Sequence, residues 1–523
     1  MGSVYDTLKE IVGEKHLLTD PERREYYSTD LSHLPREVAE AVIQPGSVEE
    51  LSRAVRAATG AGYAVIGRGG GTSYTKGFTP ERTKSIIVDM RRFNQIVEIN
   101  AQDMYVTVEC GCTWKTLWEA LKEKGFRTPY FGPLSGMYST IGGALSQNSL
   151  FLGSGVYNTV AESCLGLEVV LSDGSIVQTG SSAHKTSNAF YRHFGPDLTG
   201  IFTADTGAFG IKTKATFRLI PLPGATECCS FGFETLAEML EAQIEIARLR
   251  VAAECYGFDP YYNAAFEKKG FTLRESLQLL ANIGKSGKSV VEGIKGVVKT
   301  AAHGKRVLKN INYSLHSVMD GLDAAAARSS LEAVKKICSR NGDELPNTLP
   351  IAFRAQPFGG VRIVVLGSEG ECWVPIHGFF PLSRAQAAAA TTEKFFHDRA
   401  DLMKKFDIRY SYLTCFSGTE FVIEPSFYWF DKIPQSVLGL ISGEEMEEQW
   451  KAIPENLPAR EAVVGMRNDL RRLYFELGAC HLQIGKWYPY RDAMKSEGLW
   501  RLLEGVKGMV DPSRLMNPGA LGL

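Results

Sequence analysis

The run Gly67-Arg68-Gly69-Gly70-Gly71-Thr72-Ser73 constrains this chain more than any other stretch. Adjacent glycines are entropically costly in a plain connection, but they let the main chain adopt positive φ and approach a ligand closely. Successive N–H groups in such a turn form an anion-binding concavity, and Arg68, Thr72 and Ser73 add donors suited to a phosphate or pyrophosphate. Taken alone, the run fits an ordinary glycine-rich turn as well as a phosphate cradle. The neighbouring segments decide between them.

Residues 42–45 read as a short strand, and Ser47-Val48-Glu49-Glu50 has the spacing of a capping box that opens a helix. That helix carries Leu51, Val55 and Ala58 on one face and should stop at Gly60 or Gly62. A strand over 63–66 then delivers the chain into the glycine run. Strands are expected at 85–89 and 105–110, followed by a helix capped by Thr113 with Trp114, Leu117, Trp118 and Leu121 at helical spacing. A second small-residue stretch, 130–144, contains Pro133, Ser139, Thr140, Gly142 and Gly143. The strand 165–171, the turn Ser172-Asp173-Gly174 and the strand 176–179 read as a hairpin. A third permissive run, 205–211, holds Gly207, Gly210 and Ile211 and precedes a strand at 214–219.

At 523 residues and 44% hydrophobic content, two or three domains are expected. Lys+Arg at 58 against Asp+Glu at 59 leaves no global basic field, which argues against a nucleic-acid partner. The ten cysteines show neither zinc nor iron–sulfur spacing, so reduced thiols and no metal are expected. The first twenty residues lack an apolar signal core, and no run reaches the ~18 apolar residues of a spanning helix. The expected setting is cytoplasmic, or at most peripheral to a membrane.

Four ordered motifs resemble the FAD-binding domain of the vanillyl-alcohol oxidase and p-cresol methylhydroxylase superfamily. They are 67–73, Thr140-Ile141-Gly142-Gly143, the segment 166–174, and 207–211 ending in Gly210-Ile211. The tail 511–519, with Asn517, is similar to the segment by which that family returns to its FAD domain. The resemblance implies an α+β chain: a two-lobed FAD-binding domain of the p-cresol methylhydroxylase type at 1–223, an antiparallel-sheet cap with helices at 224–465, and a returning segment at 466–523. It implies FAD held by Gly67, Arg68, Gly69, Gly70, Gly71, Thr72, Ser73, Pro133, Ser139, Thr140, Gly142, Gly143, Gly207, Gly210, Ile211 and Asn517. Members that tether FAD through the glycine loop have a His where this chain has Thr72, and Phe430 falls near the flavin-linked Tyr of the methylhydroxylases. Noncovalent FAD is therefore expected.

A flavin enzyme that oxidises an alcohol must also remove the hydroxyl proton and aim the C–H bond. His481 is the first candidate, in a segment that resembles the His-containing segment of the alkyl-dihydroxyacetone-phosphate synthase branch. His377, in the expected cap strand 371–376 and its continuation, is the second. Tyr488, Tyr490 and Arg491 are candidates for the pocket entrance, with the guanidinium suited to a carboxylate. Each of these residues has a plain structural alternative: a packed histidine, a core aromatic or a surface ion pair. A further strand is expected at 361–366.

The leading expectation is an FAD-dependent oxidoreductase acting on a small organic alcohol or 2-hydroxy acid, with oxygen, a quinone or a redox protein as electron acceptor. The alternatives are an aryl-alcohol or phenolic oxidase, a transferase similar to alkyl-dihydroxyacetone-phosphate synthase, and a flavin-binding partner protein without turnover. In 285–309 lysines and an arginine interleave with apolar residues, which suits an anionic membrane or an acidic partner as well as a solvated surface helix. A homo-oligomer is compatible with all of these readings.

Overall fold

The computed structural model describes residues 4–268, 311–359, 365–441 and 448–523. The basic stretch 285–309 lies outside them. The helix caps form at the expected Ser and Thr residues, but the box expected at Ser47 is half formed: Glu50 Oε2 accepts from Gly46 N at 2.7 Å and not from Ser47 N. Ser47 accepts from Glu50 N at 3.2 Å to start Val48–Gly60, and Thr113 accepts from Thr116 N at 3.2 Å to start Trp114–Glu123. Thr235 and Glu238 form a full capping box for Leu236–Leu249.

Three main sheets carry the architecture. In the first, strands Ala41–Ile43, Ser85–Asp89 and Ala64–Arg68 lie parallel in that order, with Leu17–Leu18 antiparallel at the edge. The second is a five-stranded antiparallel sheet that joins Ile96–Asn100, Tyr105–Glu109, Ile211–Arg218, Cys164–Val170 and Ile176–Gln178. The two share a core in which Ile43, Val65 and Val88 of the first meet Val170 and Ile211 of the second. Burying this face stabilises both sheets. The chain's end docks here as well: Val65 N donates to Leu515 O at 2.7 Å, and Asn517 N donates to Val65 O at 2.9 Å.

The third sheet is antiparallel, with seven strands in its main path and an eighth, Gly378–Pro381, paired to Glu420–Trp429 beside it, and is built from strands between Ala225 and Trp429. Its longest pairing joins Arg409–Ser417 to Glu420–Trp429. Helices such as Leu236–Leu249, Ala324–Cys338 and Ala385–His397 pack on it around buried Phe231, Met239, Phe396 and Phe427. The expected strand at 371–376 forms as Cys372–Pro375. The strand expected at 361–366 is corrected where it is described: Val365 lies in a helical turn, and Leu366 makes only an isolated bridge to Cys372. Residues 361–364 lie outside the described set.

Candidate functional site

The parallel strand Ala64–Arg68 ends on the glycine run, and the loop turns there because Gly71 takes φ +78°. Close approach explains its neighbours. A Cβ at Gly69 would meet the Thr140 side chain, and one at Gly70 would lie 2.6 Å from the Tyr138 carbonyl carbon. One at Gly142 would lie 2.9 Å from Cys110 Cβ. Glycine is required here by packing as much as by dihedral angle. Thr140 caps the helix Ile141–Gln147 by accepting from Gly143 N at 3.3 Å, which orients the second motif against the first.

Between these segments runs a channel that opens to solvent. Its walls include Gly67, Arg68, Gly69, Gly70, Gly71, Thr72, Ser73, Pro133, Ser139, Thr140, Gly142, Gly143, Gly207, Gly210 and Ile211. Asn517 stands behind the wall, where its amide donates to Gly77 O at 2.7 Å and to Thr206 O at 2.6 Å. Sequence reasoning did not single out Lys212, whose Nζ is held by Asp205 at 2.6 Å and Ser146 at 2.8 Å in the same wall.

The donor set fits a dinucleotide. Among the described residues, no acceptor takes the N–H groups of Gly70, Gly71, Thr72 and Ser73. Arg68 is buried, and its Nε and Nη1 have no protein partner. Its guanidinium lies 4.8 to 5.1 Å from the rings of Tyr26, Tyr27 and Phe78, so it is a desolvated cation in an aromatic cage, and the nearby Asp89 carboxylate is paired with Arg91 instead. A row of free N–H groups beside such a cation suits a pyrophosphate.

Tyr74, Trp373, Val365 and Gln483 line the channel where it meets the cap. Behind them His377, Tyr488 and His481 pack as one cluster. His481 stacks on Tyr488 with ring centroids 3.6 Å apart, and its Nδ1 donates to His377 O at 2.8 Å. Burial lowers His481 to about 4, so the ring is neutral at pH 7 and a weak proton acceptor. His377 is fully buried and held far below its ordinary value by burial. Its Nε2 donates to Leu482 O at 2.6 Å, which leaves Nδ1 facing the Tyr74 hydroxyl at 3.4 Å.

Both histidines are next to the channel, and neither is in its wall. Arg491 stands apart from them: it is exposed, with its guanidinium over Trp500 at 4.9 Å. The arginine that does reach this region is Arg467, which is buried. It donates to Pro375 O at 2.9 Å, Tyr74 O at 2.6 Å and Ser32 O at 3.4 Å, and stacks on Trp487 at 3.9 Å.

Sequence reasoning also missed Glu424. The signal was available: one acid interrupts the apolar strand Phe421-Val422-Ile423-Glu424-Pro425. Tyr74 Oη donates to Glu424 Oε2 at 3.2 Å, across 350 residues of sequence. Among the described residues, no cluster of three or more His, Cys, Asp or Glu side chains is arranged to hold a metal.

Comparison with known proteins agrees with this geometry. A family model described as "FAD binding domain" matches residues 39–180. Glycolate oxidase subunit GlcD of Bacillus subtilis (strain 168) is 30% identical over 220 residues, which cover 42% of this chain and 45% of that one. The chain thus spans about half the length of the curated relatives it matches. Solved structures match almost end to end. p-Cresol methylhydroxylase with substrate bound superposes with TM-score 0.74 at 16% identity, covering 99% of this chain and 96% of that one. Alkyldihydroxyacetonephosphate synthase gives 0.69 at 17% identity, covering 98% and 84%.

Proposed function

We propose that this chain, whose residues 39–180 form an FAD-binding domain within the fold of the vanillyl-alcohol oxidase and p-cresol methylhydroxylase superfamily, is an oxidoreductase that takes hydride from the C–H bond of a hydroxyl-bearing substrate. Bound FAD supplies the hydride acceptor. One observation carries the reading. The channel lined by the glycine loop continues to a lining of Tyr74, Trp373, Val365 and Gln483 beneath the cap, where a small organic molecule has an apolar body to rest on and polar groups to orient it.

The chain's own residues divide the remaining work. Gly69 to Ser73 and Arg68 would hold the dinucleotide, with Lys212 fixing the facing wall through Asp205 and Ser146, and the absence of a His at Thr72 supports noncovalent attachment. Trp373 packs edge-on to Tyr74 at 5.7 Å and fixes the pocket wall. Arg467 ties the loop carbonyl of Tyr74 to the cap carbonyl of Pro375, which holds cap and channel in register. An alcohol or 2-hydroxy acid fits this description, and the likeness to a glycolate oxidase subunit supports that class.

Anaerobic mixing of the FAD-loaded protein with alcohols, 2-hydroxy acids and phenols tests the reading. Bleaching of the flavin absorbance is expected with at least one class. Unchanged absorbance across all three would refute it.

A further inference from the structure

The reaction proposed above needs a proton acceptor, and resting on that reading we propose that Tyr74 and Glu424 together provide it. The substrate hydroxyl gives its proton to Tyr74 Oη while Tyr74 passes its own to Glu424 Oε2. His481 and His377 serve as positioning residues. The proton balance closes on the carboxylate, which becomes a neutral acid, and the hydride of the C–H bond goes to bound FAD.

Geometry is the main argument. Tyr74 lines the channel, and its hydroxyl is 3.2 Å from Glu424, so a substrate oxygen at Tyr74 is one hydrogen bond from the carboxylate. Side chains alternate along Glu420–Trp429, which places Val422, Glu424 and Ser426 on one face. On that face Leu413 pairs with Glu424, and Phe379 pairs with Val422, so the carboxylate stands in apolar surroundings. Arg467, the buried cation of this region, is occupied by three carbonyls and an indole ring. The two histidines are committed differently. His377 gives Nε2–H to Leu482 O and its bare Nδ1 faces Tyr74 Oη at 3.4 Å, farther than Glu424 Oε2 at 3.2 Å, while His481 uses Nδ1 to hold the His377 carbonyl.

The titration of the cluster agrees. Burial raises Glu424 to about 7, which suits a base at neutral pH. The groups facing it do not titrate there. Burial raises the Tyr74, Tyr262 and Tyr488 phenols and the Cys415 thiol, and it lowers His377 and His481. Asp259 and Lys486 also lie at about 7, but Asp259 holds Tyr262 N and Tyr412 N, and Lys486 reaches Thr79 O. Neither is hydrogen-bonded to Tyr74 or Glu424.

Two measurements on the FAD-loaded protein test the assignment. The first is the rate of anaerobic flavin reduction against pH with any substrate that bleaches the flavin. It should rise through about pH 7, lose that inflection in Glu424→Gln, and fall about 10²-fold or more in both Glu424→Gln and Tyr74→Phe. In His481→Asn the inflection should persist. The second needs no turnover: of the protonated-carboxyl infrared bands that titrate near neutrality in the native protein, one should vanish in Glu424→Gln, while the Asp259 band remains. FAD affinity within about threefold of native would certify each variant's fold. If Glu424→Gln does not hold FAD, Tyr74→Phe, which keeps the carboxyl, decides by its rate. A surviving inflection in Glu424→Gln, a native-like rate in Tyr74→Phe, or loss of the inflection in His481→Asn overturns the proposal. Failure of every substrate to bleach the flavin refutes the oxidoreductase reading instead, and the infrared titration still reports on Glu424.

Discussion

Gly70→Ala isolates the contribution of close approach to FAD binding. A methyl at residue 70 would sit 2.6 Å from the Tyr138 carbonyl carbon, where carbon pairs are most stable at about 3.5 Å, so loop and segment must part by about 1 Å. Tyr138 O is closer still, and backbone cannot swing aside like a side-chain tip. Overpacking of this kind costs about 1 to 3 kcal/mol. Without ligand the loop can relieve the contact by separating from 138–140. FAD requires both segments in place, because Gly70, Ser139 and Thr140 line one channel. The cost therefore falls on the bound state and weakens FAD by about 5- to 150-fold, with apo stability nearly unchanged. Gly60→Ala, which meets no heavy atom within 4 Å, is the control and should bind FAD as the native protein does. Equilibrium dialysis of FAD and thermal melts of the apo proteins supply the two readouts. FAD affinity of Gly70→Ala within about twofold of native would refute the reasoning.

Three further outcomes follow from other parts of the molecule. Replacing Arg354 by Met removes the cation that Asp320 and Glu254 share in a buried seam with Arg127, and should destabilise the protein by about 3 to 5 kcal/mol in a denaturant titration. Glu424 is raised from 4.5 to about 7, so the native state keeps a proton that the unfolded state releases, and its contribution to stability falls as pH rises between those values. Glu424→Gln should accordingly be more stable than native at about pH 8, by at most about 3 kcal/mol, with the gain disappearing below pH 4.5; no gain at high pH would contradict the desolvated setting of the carboxyl. Acid precipitation should release FAD into the supernatant in full, and flavin retained on the protein would contradict noncovalent attachment at Thr72.

What was legible in the sequence was local. A glycine that must lie against backbone has no substitute, and a Ser or Thr three residues before a Glu or a helix-starting amide announces its cap whatever the fold. The glycine loop, Thr140 and the caps at Ser47 and Thr113 could therefore be read directly. The strand expected at 361–366 failed at its described end because a run of apolar residues states burial but not conformation: Val365 is buried in a helical turn and faces the channel.

The proton acceptor was illegible for a different reason. Sequence reasoning chose His481 because an ordinary histidine titrates near neutrality, but that property belongs to the side chain in water. Stacked on Tyr488 and donating to a carbonyl, the ring is pushed down to about 4, while the same loss of water lifts a glutamate 57 positions earlier to about 7. Burial favours the uncharged form of each, so the histidine becomes a poor acceptor and the carboxylate a good one. Their roles exchange without any change in residue type. Only the fold shows which of them meets a channel-lining side chain, because the contact that matters, Tyr74 to Glu424, joins the glycine loop to a strand 350 residues away.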